Sequence, residues 1–439
     1  MLKNKFNSIL RDYVKENLSP TESDRNLITE IYKSICSILG EKNMLQIGSY
    51  PRYTAIRPLH DLDTLWILGK WDVNIDQSEP LNALDLKIQN EYVAPSGLTF
   101  DTKLQTHSVT IEFKTTFNRS IFSLDIVPAY EIDNSKIYRV PEIIKNTHKS
   151  RIDKYLRGRK IDWILSDPIG YIDESIKLNT SNADFRKAVK FVKKWKTNLK
   201  IKDGKLKLKS FHLEQICARL YSDNQNIDLV SSVFIFFRNL PDYIEKSQFI
   251  DRADKNRKID EYIDNMPVSV KNKIIEASDS LLIKLENFKD SHRVEDLLEV
   301  DFYSRRQSEQ FIFDFVPIFI DDSINLRIDG LARRKEGFTE YKYPISTGFG
   351  DIEANNSIKF VIIDNHNLPN IDKFLWKVKN DNSCGFPRGE ITENHTLNDP
   401  ESTQYDGNHY VECYAIRNNI CVAKARQNVV IAKKPSRYS

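Results

Sequence analysis

The sequence predicts an α+β chain in three parts: helices and a small sheet over 1–170, a helical part over 171–318, and a small β-rich part over 319–439. Three observations carry this reading. Before residue 131, four short apolar stretches read as strands. From about 150 to 310 apolar residues recur mostly at helical spacing. From about 320 that period gives way to short alternating runs separated by Asn, Gly and Pro.

The N-terminus, "MLKNKFNSILRDYVKENL", spaces Leu2, Phe6, Ile9, Leu10 and Tyr13 as a helix does, with charges between them, and is not a signal peptide. "SPTE" (Ser19 to Glu22) reads as a capping box with proline at the first helical position. The helix then runs through Ile28, Ile31, Ile35 and Leu39, and Gly40 ends it. "NMLQIGS" is a strand that breaks at Gly48, and "DLDTLWILG" is a second. "HSVTIEF" (His107 to Phe113) and "FSLDIVPAY" (Phe122 to Tyr130) are two more. In "NADFRKAVKFVKKWKTNL", Val189, Val192, Trp195 and Leu199 form one helical stripe and lysines fill much of the rest. "SFHLEQICARLY" and "DLVSSVFIFFRNLPDYI" continue the helical part. "IKFVIIDN", "KFLWKVKN", "HYVECYAIRN" and "NICVAKA" are the C-terminal strands, with "RNNI" a hairpin turn and a domain boundary near Asp321–Asp322.

The 439 residues suit two to four domains, and 40% hydrophobic with 29% charged residues is an ordinary globular composition. A net charge of +3, from 65 basic and 62 acidic residues, excludes a generally polycationic nucleic-acid coat. Arg186 and ten lysines up to Lys209 face a single acid, Asp203, which reads as a solvated face or a track for an activating nucleic acid; net charge gives the latter no support. Five scattered cysteines without a CxxC read as reduced thiols in a cytoplasm. The longest apolar runs are too short to span a bilayer. Cys384, His395, His409, Cys413 and Cys421 match no standard zinc finger. Trp376, Tyr405 and His409 either pack the small β domain or line a ligand pocket in it.

The chemistry concentrates in "IGSYPRYTAIRPLHDLDTLWIL". Asp61 and Asp63 alternate with Leu62, Thr64 and Trp66, so on a strand both carboxylates face one side. Like charges that close raise each other's pKa unless something positive sits between them, and a divalent metal is the obvious candidate. A strand that ends in Gly48–Ser49 and leads into a helix presents backbone N–H groups to an anion. Mg²⁺ takes oxygen ligands and keeps phosphates in its shell. Two metals about 3.5–4 Å apart need a further carboxylate. Asp125, inside the apolar strand of "SLDIVPA", offers it.

"GSYPRYTAIRPLHDLD" followed by "LDIVPA" resembles the polymerase-β-like nucleotidyltransferases, most of all the bacterial cGAS/DncV-like nucleotidyltransferases (CD-NTases), over roughly residues 20–300. The resemblance implies a sheet plus helical domain with a cleft between two lobes. It puts the family's Gly-Ser on Gly48 and Ser49, its three metal carboxylates on Asp61, Asp63 and Asp125, and its Arg-x-Thr element on Arg52 and Thr54. It puts the triphosphate-holding lysine and serine on Lys193, in "VKKW", and Ser210, and a base-stacking aromatic on Phe211. Many relatives carry tyrosine at that last position. "FLWKVKN", "PRGEI" and "QYDGNHYVECYAIRN" resemble the AGS-C sensor domain, implying a small ligand there.

The implied activity uses two Mg²⁺ ions, or Mn²⁺ in their place. It makes a cyclic di- or trinucleotide messenger from ATP, GTP or other nucleoside triphosphates, in anti-phage signalling with a separate effector. A linear oligonucleotide synthase, or an enzyme that modifies RNA or protein with a nucleotide, would use the same three aspartates; a non-catalytic nucleotide-sensing regulator is the other rival, and the intact triad argues against it.

Overall fold

The structure, a computed structural model, describes residues 3–75, 79–143, 161–289, 291–306, 308–321, 323–336, 339–347, 352, 354, 356–363, 368, 370–386, 388–393 and 400–432. Leu2, Asp322, His395 and the proline of "PRGEI", all used above, lie outside them. The chain divides into two compact units. One is Leu10–Phe236 with Asp242–Lys271; the other is Met1–Ile9, Phe237–Pro241 and Asn272–Ser439.

Helix α1 (Lys3–Tyr13) widens into a π-helical turn over Val14–Leu18. Helix α2 (Glu22–Leu39) follows, and its cap differs from the expected one. Thr21 is the N-cap, and its box partner is Asp24: Asp24 N–H donates to Thr21 Oγ1 at 3.2 Å, and Thr21 N–H donates back to Asp24 Oδ2 at 2.8 Å. The hydroxyl of Ser19 instead donates to Val14 O, closing the preceding turn. Ile28, Ile31, Ile35 and Leu39 are all buried, so the apolar stripe was read in phase. Gly40, at φ +87°, ends the helix with its N–H on Cys36 O.

Strands β1 (Met44–Ile47), β2 (Asp61–Lys70), β3 (Leu98–Leu104), β4 (Val109–Thr115), β5 (Ser120–Ile132), β6 (Ile137–Ile143) and β7 (Ile161–Ser166) form one mixed sheet. Its order is β1-β2-β5-β4-β3, with β6 pairing β5 and β7 pairing β6. Only β2 and β5 run parallel among these pairs. Helix α3 (Glu79–Glu91) adds Leu81, Leu84 and Ile88 to a core that holds the α2 stripe and Leu62, Leu124 and Ile126 of the sheet. Because strand side chains alternate, burying Leu62, Leu124 and Ile126 turns Asp61, Asp63 and Asp125 to the opposite face.

Helices α4 (Pro168–Ser181), α5 (Phe185–Lys202), α6 (Ser210–Asp223) and α7 (Leu229–Glu245) follow. On α5 the side chains of Val189, Val192, Trp195 and Leu199 are fully buried, each stabilising by about 1.5–3 kcal/mol relative to exposure. Helices α8 (Val268–Glu286) and α9 (Val294–Leu298) come next.

The C-terminal strands are β8 (Arg327–Glu336), β9 (Thr339–Pro344), β10 (Ser357–Ile363), β11 (Lys373–Lys379), β12 (Ile391–Glu393), β13 (Glu401–Ser402), β14 (Gly407–Arg417) and β15 (Ile420–Ile431). They make two antiparallel sheets, β13-β10-β8-β9 and β12-β11-β14-β15, around a shared core that includes Phe360, Trp376 and Val411. Asn418 and Asn419, at φ +51° and +59°, form the hairpin turn read from "RNNI". Cys413 and Cys421 are fully buried free thiols within this core region. Among the described residues no helix is long and apolar enough to cross a membrane.

Candidate active site

Strand register assembles the carboxylates. In the parallel pair β2/β5, Asp63 lies directly opposite Asp125, and Asp61 is two residues upstream on the same face. Neither Asp61 nor Asp63 has a hydrogen-bond or ion-pair partner among the described residues. Burial, then the charges of Asp61 and Asp125, push the Asp63 carboxyl up to about 7, against the pull of Arg52 and Lys193. Burial also raises Asp125; the Thr110 hydroxyl, which donates to its Oδ1, opposes this, and Asp61 adds to it.

Among the described residues no group of three or more His, Cys, Asp and Glu that could hold a metal ion is found. Mg²⁺ does not need one: it is held by one or two carboxylates, waters and substrate phosphates. Two unpartnered carboxylates with a third in register therefore fit it.

Gly48 is dictated by the same strands. Ile47 pairs with Asp63 across β1/β2, so the next residue passes over the Asp63 carboxylate. A Cβ on Gly48 would lie 2.0 Å from Asp63 Oδ2, and its φ is +76°. Gly48→Ala is expected to destabilise by at least about 1–2 kcal/mol from the backbone alone. Denaturant titration of the variant against the parent tests this.

No helix follows Gly48–Ser49, contrary to the sequence expectation. Residues 48–53 form a string of turns. Tyr53 adopts φ +59°, which no helix allows, and Thr54 N–H closes the string on Ser49 O at 3.0 Å.

Arg52, Thr54 and Lys193 converge on a residue the sequence reading did not single out, Glu214 of α6. Arg52 donates to both Glu214 oxygens, at 2.7 and 3.3 Å. Thr54 Oγ1 donates to Oε2 at 3.0 Å. Lys193 Nζ lies 2.8 Å from Glu214 Oε2 and 3.1 Å from both Thr54 O and Thr54 Oγ1. Exposures of 7% for Arg52, 5% for Lys193 and 2% for Glu214 make this a buried network. Burial alone would raise Glu214; Lys193 and Arg52 outweigh it and bring the carboxyl down to about 2. Burial lowers Lys193, and Glu214 offsets part of that. Ser175 of α4 donates to Arg52 O, so the network ties the turns after β1 to α4, α5 and α6. A carboxylate between Leu213, Ile216 and Cys217 on the buried face of α6 was the available signal for Glu214.

Lys196, one turn beyond Lys193, donates to Ser210 Oγ at 3.1 Å. The lysine paired with Ser210 is thus Lys196, while the Lys193 ammonium is engaged by Glu214 and Thr54. Burial lowers the Lys196 pKa, helped by Lys200 and Lys193. Phe211 sits edge-to-face on Tyr171, with centroids 4.8 Å apart, and the Arg52 guanidinium lies 5.1 Å over its ring.

These groups surround one cavity of about 530 Å³ between the end of the sheet and helices α4, α5 and α6. Gly48, Ser49, Arg52, Asp61, Asp63, Lys193, Lys196, Ser210 and Phe211 all line it. Thr54 stands behind the wall, and Asp125 is set by register against Asp63. A nucleoside triphosphate matches this layout chemically: an aromatic face, a lysine–serine pair and partnerless carboxylates at separate points of one cleft.

Residues 306–432 match the family model of the Adenylyl/Guanylyl and SMODS C-terminal sensor domain, AGS_C. No curated protein matches the chain. Among solved structures, CdnC of E. coli MS115-1 with ATP is similar at a TM-score of 0.48 and 17% identity, over 66% of this chain and 94% of its own. The CD-NTase CdnG of Bradyrhizobium diazoefficiens, in complex with GTP, is similar at 0.46 and 10%, over 62% and 88%. The Vibrio cholerae DncV cyclic AMP-GMP synthase, in complex with a linear intermediate, is similar at 0.42 and 14%, over 58% and 66%.

Proposed function

We propose that the chain is a nucleotidyltransferase that joins nucleoside triphosphates with release of pyrophosphate. The reading extends to a cyclic di- or trinucleotide messenger made in the bacterial cytoplasm for anti-phage signalling and read by a separate effector. The observation that carries it is the Asp63–Asp125 register with Asp61 on the same face, Asp61 and Asp63 lining a cavity that also holds Gly48–Ser49 and the Lys196–Ser210 pair.

Lys196 and Ser210 hold the β- and γ-phosphates of the donor, and Phe211 gives its base an aromatic face. Ser49 contacts the phosphates from the turn where Gly48 lets them approach. Asp61, Asp63 and Asp125 would hold two Mg²⁺ ions, or Mn²⁺ in their place. Bound there, the metal lowers the pKa of the attacking hydroxyl and neutralises charge on the pyrophosphate. Asp125 takes the proton from the acceptor ribose hydroxyl. The hydroxyl oxygen bonds the α-phosphorus as the bond to pyrophosphate breaks. A second such transfer closes a ring.

Incubation with ATP, GTP, CTP and UTP, singly and together, with Mg²⁺ or Mn²⁺, tests the reading. A phosphatase-resistant labelled product absent from the Asp61→Asn/Asp63→Asn variant establishes the cyclase. A phosphatase-sensitive ladder makes it a linear synthase. Undiminished product from the variant overturns the catalytic assignment.

Lys196→Ala removes one charge-assisted contact of about 1.5–3 kcal/mol. It should raise the KM for the nucleotide by about tenfold to a hundredfold, with the unfolding midpoint unchanged. An unchanged KM would remove Lys196 from the site.

A further inference from the structure

The C-terminal unit contains a second cavity, of about 400 Å³, between its two sheets. Ile358 and Phe360 of β10 form one wall, and Val411 of β14 and Val429 of β15 belong to the other. Facing sheets stand about 10 Å apart, which leaves a slab rather than a sphere. Phe386, 61% exposed, stands among the lining residues.

One polar atom in this wall is unsatisfied. His409 is 7% exposed, and its Nε2 is buried with no hydrogen-bond partner among the described residues. Its tautomer follows from its other nitrogen. The backbone N–H of Asp381 donates to His409 Nδ1 at 3.1 Å. A backbone amide can only donate, so Nδ1 carries the lone pair and, in the neutral ring, the proton sits on Nε2. Asn380 Oδ1 also lies near Nδ1, at 3.3 Å, but a proton on Nδ1 would face the Asp381 N–H at the shorter distance, so the lone pair stays there. His409, one of the lining residues, therefore carries a fixed N–H donor without an acceptor among the described residues. Buried donors are rarely left so, because the desolvated group gains nothing in return.

Charge narrows the class of ligand. Arg388, the guanidinium that lines the cavity, is engaged by both oxygens of Glu401. No free cation among the lining residues calls for an anionic ligand.

We propose that this cavity binds a small, neutral, planar heteroaromatic molecule whose ring nitrogen or carbonyl oxygen accepts from His409 Nε2–H. The apolar walls cover its faces, and Nε2–H selects its edge. This site is separate from the carboxylate cavity and does not rest on the catalytic reading.

Quinoline and naphthalene are nearly the same shape, and only quinoline has an acceptor nitrogen. The full chain, labelled with ¹⁵N-histidine, is titrated with each, and the His409 ring resonances are followed. Quinoline is expected to shift the Nε2–H signal and to bind about tenfold more tightly than naphthalene. His409→Phe keeps the ring and removes the donor, so the preference should vanish. Equal binding of the two probes overturns the proposal, as does a quinoline shift at other histidines with none at His409. If His409→Phe fails to fold, the two-probe comparison on the unaltered chain still decides it.

Discussion

Changing Asp61 and Asp63 to asparagine is expected to lower nucleotidyl transfer by about 10³-fold or more, the loss of several kcal/mol of metal-borne stabilisation. The fold should not suffer. An acid whose pKa is raised on folding disfavours the folded state once it ionises. For Asp63 that penalty is absent below the ordinary 3.8, grows as pH rises, and is complete above about 7. An asparagine amide cannot ionise, so the variant should melt at or above the parent at pH 8 without divalent cation, and the difference should fade toward pH 4. Mg²⁺ should raise the melting temperature of the parent and leave the variant unmoved. A variant that loses activity and stability together would make the aspartates structural. One that keeps activity would take them out of the chemistry.

Strand and helix periods made much of the fold legible. The α2 and α5 stripes and the strands carrying Asp61, Asp63 and Asp125 needed only the spacing of apolar residues, because burial enforces that spacing. The helix cap differs because "SPTESD" offers two overlapping boxes, Ser19 with Glu22 and Thr21 with Asp24. Ser19 has a competing acceptor in Val14 O, and that contact joins two elements rather than residues within the motif. The helix expected after Gly48–Ser49 fails at Tyr53, a residue type that gives no warning of positive φ. Within the site, the carboxylates are legible because charge inside an apolar strand is conspicuous. Which lysine meets Ser210 is not. Lys193 and Lys196 are one turn apart on one helix, and only the tertiary position of Glu214 decides which is drawn into the interior. That partner lies 21 residues away from Lys193. The orphan nitrogen of His409 was equally out of reach, because it depends on a backbone amide 28 residues away.

Glu214→Ala should be the most damaging single change to stability in the catalytic unit. It leaves Arg52 and Lys193, both buried cations, without their shared anion, and breaking a buried pair this way costs about 3–5 kcal/mol. Against a total of about 5–15 kcal/mol, that is a large fraction. The loss should depend on pH. Glu214 is held at about 2 when folded against an ordinary 4.5, so its charge stabilises fully above 4.5 and progressively less as pH falls toward 2. Urea titration should show the widest gap between parent and variant at pH 7 and a narrower one at pH 3. An equal gap at both would mean the lost stability comes from packing rather than charge. Lys193→Met separates architecture from substrate binding. It removes one cation but leaves Glu214 doubly bonded to Arg52, so its cost should be smaller than that of Glu214→Ala. Below its melting range, Lys193→Met should keep the parent KM for nucleotide. Lys196→Ala should show the reverse, a raised KM with unchanged stability. If instead Lys193→Met raises KM by as much as Lys196→Ala while the protein stays folded, the network reaches the triphosphate directly, and Lys193 is a binding residue rather than the post on which the Arg52–Thr54 turn is fixed.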